Sequence, residues 1–344
     1  MDTLTVATVS QWWQTAIDRL PENVHRALLQ QQSTQLAAGA IFALAALYAL
    51  NKILSRWSVN CQRSDPWNPK NELVLLTGGS SGIGKQILED LSKVNIKVVV
   101  LDVQAPTFEL PSTASFYQCD ITSTANLKEV AAAIRQKHGH PTILINNAGF
   151  GRGGTILDES ESDIRRTFEV NTISHFWTVK EFVPDMIQKN HGHIITIASL
   201  ASFIAPGEIV DYSCTKAAAL AFHEGLTQEL KHWHKVGKVR TSIIHPLWVR
   251  TPMISILTGA GGHFKQRLLT PEMVSSAVVK QVVTQTSGQV ILPLSHVPLA
   301  FLRALPTWMQ EFVRGVASKD FVKLRELEKK GLVQVPAPQP QAKS

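Results

Sequence analysis

Between about residue 72 and residue 292, short uninterrupted apolar runs alternate with stretches of helical character. The runs are Glu72–Leu76, Ile96–Leu101, Thr142–Ile145, His193–Ile197, Arg240–Ile244 and Val290–Leu292. Helical stretches lie between them at Gly84–Lys93, Ala125–Lys137, Asp163–Met186 and Ala217–Trp233. A strand that stays apolar instead of alternating with polar residues is covered on both faces. Strands separated by helices pair in parallel. Together these patterns predict a doubly wound α/β domain, with helices on both faces of a parallel sheet.

What flanks this domain differs in character. From Ala27 to Asn51 there is no charged residue, and Leu36 to Leu50 reads LAAGAIFALAALYAL. With Ile53 and Leu54 the run approaches the roughly 20 apolar residues that cross a bilayer, and Lys52 near its end can reach the interface. The run starts too far from Met1 for a cleaved signal peptide. The expectation is a retained anchor, single-pass or monotopic, over residues 36–54, after an N-terminal segment 1–35. A buried amphipathic helix is the alternative. Lys52, Arg56, Arg63 and Lys70 follow the run, whereas Arg19 and Arg26 before it are offset by Asp18 and Glu22. Basic flanks stay cytosolic, so the α/β domain is expected on the cytosolic side. Residues 55–71, with SDPWNPKN inside, read as a linker, and 72–295 as the α/β domain. Residues 296–334 read as an amphipathic helical extension, and the Pro- and Gln-rich 335–344 as a disordered tail.

The formal net charge is +7, but the Lys and Arg are scattered, with no basic stripe interleaved with aromatics. This argues for a mildly basic protein near anionic lipid and against a nucleic-acid partner. Cys61, Cys119 and Cys214 are odd in number and lack CxxC spacing, which argues against a disulfide framework and a metal site. His232 and His234 do not share a helical face and read as surface residues.

The first strand runs into Thr77-Gly78-Gly79-Ser80-Ser81-Gly82-Ile83-Gly84 and then a helix. Glycines let backbone approach a pyrophosphate, and the helix start presents free N–H groups to it. The residues singled out as nucleotide contacts are Gly78, Ser80, Ser81, Gly82, Ile83 and Gly84. Asp102 ends the second strand about 20 positions on, where a carboxylate binds both ribose hydroxyls and repels a 2′-phosphate. No Arg or Lys lies in the loop, so NAD is favoured over NADP. Asp120, with Ile121 beside it, is placed against the adenine. Asn147, Ala148 and Gly149, after the fourth strand, form a wall of small residues and amides along the cofactor.

Ser199 ends a further strand, and Tyr212 and Lys216, four apart, share a helical face. A ketone reduced by hydride needs an acid for the alkoxide, and the reverse reaction needs a base. A phenol with an ammonium one turn away is expected to have a lowered pKa and to serve as both. The Ser199 hydroxyl can donate to the substrate oxygen.

These motifs, in this order, resemble the short-chain dehydrogenase/reductase family. They are the TGxxxGxG loop at Thr77–Gly84, NNAG at Asn146–Gly149, an asparagine at Asn171, the serine at Ser199 and YxxxK at Tyr212 and Lys216. The resemblance spans roughly Glu72 to Leu292. It implies a single Rossmann-like domain with a seven-stranded parallel sheet. It also implies that Tyr212 is the acid/base, Lys216 binds the nicotinamide ribose, Ser199 orients substrate and Asn171 holds a relay water. Val249 and Thr251 are implied against the nicotinamide amide. One departure is Pro246-Leu247, where the family carries Pro-Gly, and an altered loop over the nicotinamide is expected. Met253–Leu269 is implied to be a lid over the substrate.

Within the family, the anchor and Asp102 look most like the membrane-bound retinol dehydrogenase and 17-beta-hydroxysteroid dehydrogenase type 11 group. That implies a lipophilic alcohol, ketone or aldehyde as substrate, homodimers, and residence at the endoplasmic reticulum or lipid droplets. Pro298–Val316, rich in Phe and Trp, suits a membrane interface or a subunit contact, or else closure of the substrate pocket. Two competing readings are a non-catalytic nucleotide-binding scaffold or sensor, and an extended-family sugar epimerase. The intact Ser199, Tyr212 and Lys216 argue against the first. The glycine spacing and the short C-terminal segment argue against the second.

Overall fold

The computed structural model describes residues 21–60, 66–255, 264 and 266–330. Most of segment 1–35, Arg63 in the linker, the lid between residues 256 and 263, and the tail 335–344 lie outside the described residues.

Seven parallel strands form one sheet in the order β3-β2-β1-β4-β5-β6-β7. They are β1 (Leu73–Thr77), β2 (Lys97–Asp102), β3 (Ala114–Gln118), β4 (Ile143–Asn146), β5 (Gly192–Ile197), β6 (Val239–Pro246) and β7 (Gly288–Leu292). The order reverses between β1 and β4, and a crevice opens there at the carboxyl ends of the strands.

Side chains alternate across a strand. Val74 and Leu76 of β1 and Val98 and Val100 of β2 therefore enter one core layer. Leu73, Leu75, Val99 and Leu101 enter the other. Helices α2 (Gly82–Lys93) and α7 (Pro271–Val283) cover the first layer through Ile87, Leu88, Leu91, Val274 and Val278. Helices α3 (Thr124–His138) and α5 (Ser174–Lys189) cover the second through Leu127, Ile134, Phe182 and Met186. Both faces are buried, which is why the strands read as unbroken apolar runs.

The long helix expected over Asp163–Met186 is interrupted. After α4 (Glu161–Phe168), residues Glu169–Ile173 form one π-helical turn before α5. The wider turn places Asn171 inside the protein, fully buried.

Helix α6 (Val210–Gln228) follows β5 and carries Tyr212 and Lys216 in its first turns. Beyond β7, a 3₁₀ segment at Leu294–Ala304 leads to α8 (Thr307–Lys329). Trp248 Nε1 donates to Gln266 Oε1 at 2.6 Å, and Gln266 donates to Asp320 Oδ2 at 2.7 Å. Arg325 pairs with Glu208 at 3.0 Å. These bonds fix α8 to the loops that follow β5 and β6.

Among its described residues, the N-terminal unit is formed by helix α1 (Glu22–Asn60). Residues Thr34–Val59 have a mean hydropathy of 1.7, and this segment is long and apolar enough to cross a membrane. At 1.5 Å per residue it is about 39 Å long, more than a hydrocarbon core of about 30 Å. Residues 55–60, expected in the linker, continue this helix because no Pro or Gly interrupts it there.

Candidate active site

The nucleotide cradle grows from the end of β1. Gly78 has φ +68°, and a Cβ there would come within 2.7 Å of the Ala148 Cα. A Cβ on Gly79 would lie 2.6 Å from Val100 Cγ1, and one on Gly84 would collide with the Gly78 carbonyl. These glycines bring the loop, α2 and the end of β4 closer together than side chains allow. Thr77 locks the junction: its hydroxyl oxygen accepts from the Asn147 and Ala148 N–H groups, both at 3.0 Å. The Asn147 amide donates to the Thr77 and Gly78 carbonyls at 3.0 and 2.9 Å. Asn147 thus holds the loop as well as facing the crevice.

At the end of β2, the Asp102 carboxylate accepts from Ser80 N–H at 3.0 Å and Gln104 N–H at 3.1 Å. Ser80 spends its hydroxyl on the Gln104 carbonyl at 2.7 Å. It braces the loop instead of lining the crevice. Gly78, Ser81, Gly82, Ile83, Gly84, Asp102, Asp120, Ile121, Ala148, Gly149, Val249 and Thr251 all line one cleft of about 1960 Å³. Glycine backbone at a helix start, with a carboxylate one strand away, fits an adenine dinucleotide.

Ser199, Tyr212 and Lys216 line the same cleft. Ser199 caps a 3₁₀ turn, its hydroxyl oxygen accepting from Ala201 N–H at 3.1 Å and donating to the Pro246 carbonyl at 3.5 Å, and this hydroxyl lies near enough to the Tyr212 phenol to favour its ionised form. The His245 ring is 3.0 Å from the Ser199 carbonyl through Nδ1. Lys216 Nζ donates to the Ile197 carbonyl at 3.0 Å and sits 5.5 Å from the centre of the Tyr212 ring. Asn171 lies behind them. Its Oδ1 accepts from Phe150 N–H at 2.7 Å, and its Nδ2 donates to the Phe150 carbonyl at 2.7 Å and to Thr215 Oγ1 at 3.1 Å. Asn171 therefore pins the segment after β4 to α6.

The electrostatics correct one expectation. Burial pushes the Tyr212 phenol up to about 12, with the Ser199 hydrogen bond opposing it. Burial also pulls Lys216 down to about 8. At Tyr212 desolvation outweighs the pull of a neighbouring ammonium group.

At Pro246-Leu247, where the sequence departs from the family, the backbone conformation is ordinary. Leu247 is not among the residues with left-handed φ, and its N–H donates to the Leu292 carbonyl at 2.8 Å. Its side chain packs between two apolar clusters. Gly151, overlooked in the sequence, faces the phenol: a Cβ there would lie 2.9 Å from the Tyr212 ring. The run Gly149–Gly154, with four glycines in six residues, was its only signal. Ile204, Ile209, Trp248, Val313, Phe321 and Leu324 line the cleft as well, together with Glu208, Gln266, Asp320 and Arg325.

A family model described as short chain dehydrogenase matches residues 72–258. Dehydrogenase RED2 of Cochliobolus heterostrophus is 40% identical over 222 residues, covering 64% of this chain and 84% of that protein. Human estradiol 17-beta-dehydrogenase 11 is 31% identical over 248 residues, covering 70% and 80%. A short-chain type dehydrogenase/reductase from Mycobacterium marinum superposes with a TM-score of 0.60 at 20% identity, covering 66% and 96%. The structure of 4-hydroxyisoleucine dehydrogenase complexed with NADH matches with a TM-score of 0.57 at 20% identity, covering 64% and 96%. The chain belongs to the short-chain dehydrogenase/reductase family, in the group of the 17-beta-hydroxysteroid dehydrogenases 11 and 13, and is an NAD(P)-dependent oxidoreductase of alcohols and ketones.

Proposed function

We propose that the chain interconverts a lipophilic alcohol and its ketone or aldehyde at a membrane surface, with Tyr212 as the acid/base. One observation carries this reading. Ser199, Tyr212 and Lys216 converge in a single cleft that is lined by a glycine cradle and, beyond it, by apolar side chains set among the polar pairs Glu208–Arg325 and Gln266–Asp320. The nicotinamide cofactor, when bound, supplies or accepts the hydride.

The chain's own groups handle the proton and the orientation. Ser199 donates a hydrogen bond to the substrate oxygen and fixes it beside the phenol. In reduction, Tyr212 gives its proton to that oxygen, and a phenol held near 12 is fully protonated at neutral pH. In oxidation, the phenol oxygen takes the hydroxyl proton. Lys216 binds the nicotinamide ribose from its post on the Ile197 carbonyl. Asn171 positions Phe150 and α6, and with them Tyr212. Val249 and Thr251 face the nicotinamide amide.

Asp102 favours NAD, since its carboxylate suits ribose hydroxyls and repels a phosphate in the same place. Asp120 with Ile121 serves the adenine. The apolar side chains of the cleft favour a lipophilic alcohol, secondary as in a steroid or primary as in a retinoid or fatty alcohol. The anchor reading places the protein in the endoplasmic reticulum membrane or on lipid droplets, with the catalytic unit cytosolic and a homodimer as the working assembly.

The test is a spectrophotometric screen of detergent-solubilised full chain with NAD, NADP and their reduced forms against steroids, retinal and long-chain alcohols, run beside Tyr212→Phe. The reading expects a loss of about a hundredfold or more in the variant. Turnover surviving within about tenfold overturns the acid/base assignment.

A further inference from the structure

The 3₁₀ segment Leu294–Ala304 and the first half of α8 carry apolar side chains on two opposite sides. The inner side is spent on the protein: Leu302 is buried, and Leu299 and Ala300 pack on Leu200, Phe203 and Ile291. Val313 and Phe321 wall the cleft. The outer side has no partner among the described residues. Leu294, Phe301 and Trp308 are exposed by 76%, 67% and 71%, and Phe312 and Val316 are exposed as well.

Trp308, Phe312 and Val316 recur every four residues and make one stripe along α8. Beyond Val316 the next exposed positions are Lys319, Val322, Lys323 and Glu326, so the apolar stripe gives way to mostly charged residues with two lysines first among them. A helix with a Trp/Phe/Leu face ending in basic residues is built to lie in the boundary between headgroups and acyl chains. Phe312 and Val316 also line the cleft, so the patch runs into the mouth of the site. The same chain carries a span-length helix, α1. A bilayer that takes α1 keeps the catalytic unit tethered to it, which raises the local concentration of lipid facing any apolar patch.

We infer that the outer face of Leu294–Val316 inserts into the bilayer that holds α1 and opens the cleft directly to the acyl-chain region. Lipophilic substrate then enters without crossing water, and Lys319 and Lys323 meet anionic headgroups where the stripe ends. The entry route rests on the lipophilic-substrate reading; the insertion does not.

The test uses the full chain in phosphatidylcholine vesicles doped with a phosphatidylcholine that carries a diazirine on its acyl chain. After irradiation, lipid adducts are mapped by mass spectrometry. Adducts on residues 294–316, in addition to 34–59, are expected. The double variant Phe301→Asp/Trp308→Asp is expected to lose those on 294–316 while keeping those on the anchor. Adducts confined to the anchor in the wild-type chain, or protein–protein cross-links through this face without lipid adducts, overturn the inference.

A second arm measures turnover of vesicle-borne dodecan-2-ol and water-soluble butan-2-ol. The double variant is expected to raise the apparent KM for dodecan-2-ol about tenfold and to leave butan-2-ol unchanged. An equal loss on both alcohols overturns the entry route. If the wild type acts on neither alcohol, the substrate reading fails while the labelling arm still decides insertion.

Discussion

Asp102 presents its carboxylate where the second strand ends, held by two backbone N–H groups at 3.0 and 3.1 Å. Replacing it with Asn removes the negative charge and keeps the shape. The ratio of kcat/KM with NADP to that with NAD is expected to rise by about tenfold or more, since one repulsive contact is of the order of 1.4 kcal/mol. An unchanged ratio refutes the assignment. That Asp102 lies at the cleft was legible from its distance to the glycine loop, and that Ser199, Tyr212 and Lys216 lie in the same cleft was legible from their order and spacing. The titration of Tyr212 was not. A sequence shows that an ammonium is one turn away, but not how closely the fold packs around the phenol, and burial sets the direction here. Gly151 was hidden because its task, leaving room for a ring distant in sequence, exists only after folding.

Among the elements, the loop after β6 is the informative case. Leu247 stands where the family has glycine, which suggested a changed loop. Its backbone conformation is ordinary, and its side chain packs against two apolar clusters. Restoring the family's glycine by Leu247→Gly is therefore expected to destabilise the protein by about 2–4 kcal/mol, through lost packing and added chain freedom. Chemical denaturation measures this, and a neutral or stabilising effect contradicts the packing account. A second element-level prediction concerns the cradle. Gly84→Ala places a methyl group into the Gly78 carbonyl, and nucleotide affinity measured by fluorescence titration is expected to fall at least about tenfold.

The central strands were readable because both their faces are buried. Strand β3, with the sequence ASFYQ, is an edge strand and half-exposed, so its pattern is faint. The π-helical turn at Glu169–Ile173 was invisible, since one extra residue in a helix leaves the local composition of that helix unchanged.

For the molecule as a whole, two properties follow from what is buried. His175 and His193 are enclosed in the catalytic unit, and burial pulls both from 6.5 to about 3. The unfolded chain takes up these protons below about pH 6.5, and the folded chain does not until about pH 3. Stability is therefore full above pH 6.5 and falls as the pH is lowered through that window, by about 1.4 kcal/mol per pH unit for each histidine. Melting temperatures measured from pH 8 to pH 5 check this, and a flat profile contradicts it. The apolar helix α1 has the length of a span, so the full chain expressed in cells is expected to stay in the membrane pellet after a carbonate wash. Recovery in the supernatant contradicts retention by the anchor.

The claim on which the rest depends is hydride transfer in the cleft shared by the glycine cradle and Tyr212. It is tested most directly by incubating full-length protein with NAD and dodecan-2-ol deuterated at carbon 2, then weighing the reduced cofactor by mass spectrometry. The account predicts one deuterium in the NADH formed by the wild type, and almost no NADH from Tyr212→Phe. Reduced cofactor without deuterium, or equal yields from both proteins, contradicts it.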